Sequence, residues 1–169
     1  DDPSKVRQTL GEEADGDDKE ATKMRRKANR LLAINDAGGI VPLVKICESG
    51  TTQGKEKATA AIWHLALDRE NQVALAANGA IKPLVSMLAD GTPEAKKFAS
   101  KALTRMAIGN SDNQAQIAKR LVGLLDHDDA AVVSLAASDL QALASHPGAP
   151  IVIVNAGAIL PLVSVLSNG

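Results

Sequence analysis

The chain has 169 residues, of which 45% are hydrophobic but only 1% aromatic, and its net charge is −1. Apolar mass made of Ala, Leu, Val and Ile with so few rings argues against a β-sandwich or barrel and for closely packed helices. No apolar run reaches the roughly 18 residues of a membrane span, the start is acidic and unlike a signal peptide, and the single cysteine, Cys47, excludes an internal disulfide framework. These features point to a reducing compartment, cytoplasmic or alternatively nuclear.

The charge is unevenly spread. Residues 1–20 carry eight acids and three bases, net −5, which leaves sixteen bases and twelve acids, net +4, for the rest. Residues 1–18, with Gly11-Glu12-Glu13-Ala14-Asp15-Gly16-Asp17-Asp18, hold few large apolar groups and are predicted to be an acidic, disordered arm. Residues 19–169 read as one repeat domain, with a lead-in helix over residues 19–28.

Three copies of one phrase organise that domain: Gly38-Gly39-Ile40-Val41-Pro42-Leu43-Val44, Gly79-Ala80-Ile81-Lys82-Pro83-Leu84-Val85 and Gly157-Ala158-Ile159-Leu160-Pro161-Leu162-Val163. The first two lie 41 residues apart, and the third lies 78 beyond the second. A period near 40 marks a helical solenoid, whose units must stack to bury their apolar faces. The units run about 29–69, 70–110 and 111–146, with a partial one at 147–169. A short first helix (Asn29–Asp36, then Glu70–Ala77) ends at a Gly suited to a left-handed conformation. A second helix with Pro near its first turn follows, at roughly Val41–Glu48, Lys82–Ala89 and Leu160–Leu166.

After a polar turn, each unit is predicted to continue into a longer third helix: roughly Gln53–Leu67, Pro93–Ile108 and Ala130–Ala144. Thr92 before Pro93 reads as an N-cap. The third-helix core stripes are Ala58, Ala61, Ile62 and Leu65, then Ala99, Ala102, Leu103 and Met106, then Ala136, Asp139, Leu140 and Leu143. Asp139 stands where Ala is expected and is read as snorkelling at the helix edge or bonding a neighbouring loop. The third unit is short by four residues, because Leu84 maps to Leu121 at a spacing of 37. Its first and second helices are expected to join through a tighter bend or to merge. The last unit stops after its second helix. The uncovered apolar face predicts either a fragment of a longer array or association, including self-association, through that end.

Signals for chemistry are weak. Cys47 lies on an apolar helix face and reads as a small buried hydrophobe. His64, His127 and His146 are far apart and have no Cys at zinc spacing. Gly50-Thr51-Thr52-Gln53-Gly54-Lys55-Glu56 is too short between its glycines for a P-loop and lacks the hydroxyl after Lys55. Asp126-His127-Asp128-Asp129 reads as a helix-capping turn. No catalytic residue, metal site or cofactor is expected, and the chain is read as a non-enzyme.

Three helices per unit, a period near 41 and the stretch from Glu70 to Val85 (Glu70-Asn71-Gln72-Val73-Ala74-Leu75-Ala76-Ala77-Asn78-Gly79-Ala80-Ile81-Lys82-Pro83-Leu84-Val85) resemble the armadillo repeat over residues 29–169. The resemblance implies an all-α fold, a right-handed α-solenoid with about three helices per 41-residue unit. It also implies a protein-interaction module holding an extended or helical partner along a groove of third helices. Many members place an Asn in that groove to bond the partner backbone; here the position holds His64, Arg105 and Ala142. Nuclear-import adaptors add a Trp one turn earlier, where this chain has Ala60, Lys101 and Ser138. The departures disfavour an import adaptor. Lys97, Lys101 and Arg105 share one face of the third helix and suit an acidic or phosphorylated protein or peptide segment. Trp63 and Phe98 are candidate aromatic anchors beside them. Nucleic acid or an anionic lipid surface is the alternative partner, disfavoured by the modest +4 and the lack of aromatic stacking platforms.

Overall fold

The computed structural model describes residues 37–168. The predicted acidic arm at 1–18, the helix at 19–28 and the first helix at Asn29–Asp36 lie outside the described residues. Within them the chain is all helix, with nine elements: α1 (Ile40–Ser49), α2 (Thr52–Leu65), α3 (Arg69–Ala77), α4 (Ile81–Asp90), α5 (Pro93–Ala107), α6 (Ser111–Gly123), α7 (Ala130–Ala144), α8 (Ala149–Asn155) and α9 (Ile159–Asn168). The third-helix layer is α2, α5 and α7; α1, α4 and α9 are second helices; α3 and α8 are first helices. No single helix among the described residues is long and apolar enough to cross a membrane.

The repeated phrase acts as expected. Gly38, Gly79 and Gly157 all have φ between 71° and 83°, a region costly for side chains with a Cβ. Pro42, Pro83 and Pro161 fall in the first turn of α1, α4 and α9, where an N–H would have no partner within the helix. Side chains at the N-caps satisfy other orphan donors. Thr51, Asp68, Thr92, Asn110 and Asp129 accept from the N–H groups of Gly54, Asn71, Ala95, Asn113 and Ala131, each worth about 1 kcal/mol. Thr92 does double duty, because its hydroxyl also donates to Glu56 Oε2 at 2.7 Å and draws the start of α5 onto α2.

The third unit resolves by merging. The missing residues are those of the Gly-Pro turn, so one continuous helix of 13 residues, α6, replaces the first and second helices. Its N-terminal half carries Asn113 and Gln114, and its C-terminal half carries Leu121 at the place of Leu84.

The core is a continuous row of apolar side chains between layers, including Ile62, Leu65, Leu84, Leu88, Leu103, Met106, Ile117, Leu121 and Leu140. The third-helix stripes are buried as read from sequence, except that Ala61 is only half-buried. The second helices α1 and α4 are covered by the third helices of their own units. At α4, Ile81 is 2% exposed, Val85 6% and Leu88 0%; the equivalent Ile159, Val163 and Leu166 of α9 are 55%, 53% and 83% exposed. That face of α9 has no third helix against it among the described residues.

Polar side chains also cross between units. Gln72 Nε2 donates to the Ala66 carbonyl at 3.0 Å, and Asn113 Nδ2 and Gln114 Nε2 donate to Met106 and Ala107 at 2.8 and 3.0 Å. The starts of the second and third units thus close the ends of the third helices before them, where carbonyls lack helical partners. Replacing Gln114 by Ala leaves the buried Ala107 carbonyl with only the long contact from the Asn110 N–H at 3.4 Å. A loss of about 1–3 kcal/mol in unfolding free energy is expected from chemical denaturation.

Asp139 neither snorkels nor bonds a loop. It is buried and accepts from Ser100 Oγ on α5 at 2.5 Å, so it joins α7 to the neighbouring third helix. Its other oxygen, Oδ2, is buried without a hydrogen-bond partner. Burial raises the Asp139 pKa above its ordinary 3.8, and the Ser100 bond opposes that shift only partly. The folded state therefore holds this proton more tightly than the unfolded chain. The stabilisation is complete below pH 3.8 and is lost as pH rises through the elevated value. Asp139→Asn should unfold at higher denaturant than wild type at pH 7, with the gap closing on acidification, as measured by circular dichroism across pH.

Candidate functional site

The exposed face of the third-helix layer carries the residues singled out in the sequence. Trp63, in the last turn of α2, is half-buried and packs against the core. Its ring stacks on Phe98 of α5, with centroids 5.4 Å apart and planes 26° from parallel. His64 lies against the same indole at 4.4 Å, tilted by 40°. Lys101, one turn beyond Phe98, sets its Nζ 4.9 Å from the centre of the indole ring. Such a cation over an indole gains about 0.5–1 kcal/mol at an exposed site. Four predicted residues from two units thus form one cluster, and Trp63 is at once an inter-unit packing residue and a partly open ring.

Arg105 is exposed one turn further along α5, so it extends the basic stripe from Lys101. Lys97 is on the same face, but Glu94 pairs with it at 3.7 Å and offsets its charge. Neither Lys101 nor Arg105 has a carboxylate in salt-bridge range among the described residues. Ala60 is half-buried on α2. Ser138 is exposed and Ala142 half-buried on α7; neither takes part in the aromatic cluster. The α7 end of the layer exposes Ser134, Ser138 and Gln141 and no charge, because Asp139 points into the interior. The site is therefore asymmetric: aromatic and cationic across α2 and α5, neutral and small along α7.

Two other sequence candidates resolve into structure. Cys47 is fully buried beside the Thr59 hydroxyl at 3.2 Å, and burial pushes its thiol pKa up, away from thiolate chemistry. Asp129 caps α7, and His127 Nδ1 accepts from the Asp129 N–H at 3.0 Å, so the acidic turn serves the helix start. Sequence reasoning missed the Glu56–Thr92 link between the same two third helices. Its only signal was a carboxylate 36 residues before a capping Thr.

Trp63 is the sole tryptophan, so its emission reports on this cluster alone. Phe98→Ala should shift that emission to the red and lower stability by at least about 0.5–1.5 kcal/mol, the value of a ring pair. An unshifted spectrum would contradict the stacking.

No family model matches the sequence, and no curated protein sequence does either. Solved structures do match. A designed armadillo repeat protein in complex with the peptide (KR)4 shares 29% identity at a TM-score of 0.61, covering 82% of this chain and 61% of that one. An engineered protein shares 33% identity at a TM-score of 0.62, covering 82% of this chain and 59% of that one. A β-catenin structure from work on a phosphorylation switch in cadherin binding matches at a TM-score of 0.55 with 15% identity, covering 82% of this chain and 27% of that one. The chain thus spans about three fifths of the length of the designed and the engineered protein. The stacked units with their Gly-Pro turns, and the agreement of so much of the chain with these structures, make its fold that of an armadillo repeat solenoid.

Proposed function

We propose that the chain is a protein-interaction module and that its third-helix layer holds an extended or helical segment of a partner that is acidic or phosphorylated. The observation that carries this reading is the pairing of half-open rings, Trp63 and Phe98, with exposed cations, Lys101 and Arg105, that no carboxylate among the described residues neutralises. Rings offer apolar contact at low entropic cost, and Trp and Arg are enriched where binding energy concentrates. The cations then select for negative charge by charge-assisted hydrogen bonds. Beyond them, the neutral α7 end leaves room for small polar or apolar side chains of the partner.

The designed neighbour binds the basic peptide (KR)4. This chain presents Lys101 and Arg105 on its own third-helix face, so like charges would oppose such a peptide. A partner of opposite sign fits instead.

A peptide library divided into basic, neutral, acidic and phosphorylated members tests the reading. The wild-type protein should enrich the acidic and phosphorylated members, and their binding should shift Trp63 emission. Lys101→Glu with Arg105→Glu should weaken those peptides by about tenfold or more, the loss of roughly one strong charged contact. Enrichment of basic peptides, or acidic binding indifferent to the reversal, would refute it.

A further inference from the structure

The merged helix of the third unit has a consequence on another layer of the solenoid. Between α4 and α6 lies an open cleft of about 700 Å³. Lys82 and Ser86 of α4 line one wall, and Gln116, Lys119 and Arg120 of α6 line the other, with no acidic residue among its lining. Leu124 adds apolar surface above the buried Val85. The repeat alignment explains how it arises. Lys119 stands at the place of Lys82, and Arg120 stands where the other units have Pro42, Pro83 and Pro161. Loss of the Gly-Pro turn thus replaces a proline by an exposed guanidinium. Gly123 stands at the place of Ser86, and a Cβ built on it would meet nothing within 4 Å, so the cleft is open at that point.

We propose that this cleft binds a second acidic peptide segment, one with spaced carboxylates and an apolar side chain between them. The three cations sit on two helices along an opening far larger than one small anion, whereas an extended segment meets each in turn. Lys119 and Arg120 have no carboxylate in salt-bridge range among the described residues. Lys82 has only an exposed contact with Glu48 at 3.7 Å, the kind of pair worth little and readily exchanged. Leu124, half-buried at the end of α6, supplies the apolar contact. No ring lines the cleft to stack a base, which favours peptide over nucleic acid. The site shares no residue with the Trp63 cluster, so it goes beyond the function proposed above.

The test uses the full chain carrying Lys101→Glu and Arg105→Glu, which disables the other site, and a short fluorescent peptide rich in glutamate with a central leucine. Anisotropy should show saturable binding at low salt without a change in Trp63 emission. Adding Lys119→Glu with Arg120→Glu should weaken it by about tenfold or more. Gly123→Leu keeps every charge and fills the open space without backbone strain, and it should weaken binding to a similar degree. Circular dichroism checks that each variant is folded. Absence of binding in the Lys101/Arg105 background overturns the proposal, as does a Gly123→Leu protein that binds as before. A single-stranded oligonucleotide or anionic vesicle displacing the probe more effectively than unlabelled peptide also overturns it, and so does tighter probe binding after deletion of residues 1–18, which would make the chain's own acidic segment the occupant.

Discussion

No helix pair among the described residues can bury its own apolar stripe, and the structure depends on that constraint. The second helices α1 and α4 are covered by the third helices of their units, and α2 and α5 are each covered in turn by the next third helix. The contrast between α4 and α9 shows it directly: the same positions are sealed under α5 in one unit and open in the other. Apolar burial at about 25 cal/mol per Å² drives the stacking. It is non-directional, however, and fixes neither spacing nor register.

Spacing comes from small residues and register from polar ones. Ala58, Ala99, Ala102 and Ala136 are buried on third helices. Their short side chains let neighbouring helices approach. Gln72, Asn113 and Gln114 then reach back to carbonyls at the end of the preceding third helix, while Thr92 and Ser100 reach across to Glu56 and Asp139. An unpaired buried polar group is costly, so each such bond penalises any other angle between units. Asp139 is the costly member of this set, with one oxygen bonded and one bare.

Stacking confines scaffold duty to one stripe per helix and frees the rest of the surface. On the third-helix layer the free positions carry rings and cations; on the α4–α6 side they carry cations around a cleft. The second feature exists because four residues are missing. Repeat stability is a sum of neighbour contacts, so a unit can lose its inner turn while Ile117 and Leu121 keep their places in the core.

The helices and their boundaries were legible because their signals are local. Gly needs no partner to adopt positive φ, Thr92 caps its own helix, and a stripe such as Ala99, Ala102, Leu103 and Met106 is a matter of spacing along one chain. The merger in the third unit was legible as a deletion, though not as a choice between a bend and a straight helix. The site was legible as a set of types and faces: the repeat spacing alone places Trp63, Phe98, Lys101 and Arg105 on third helices. That Trp63 stacks on Phe98 under Lys101 and that Asp139 turns inward to Ser100 were not legible. Those contacts join residues up to 39 positions apart and depend on the angle between units. By itself, then, the sequence determined the repeat, the helices and the residues each face presents, since these follow from local backbone preference and period. Only the tertiary structure decided which of those residues meet, because distance between units is set by packing that no single unit contains.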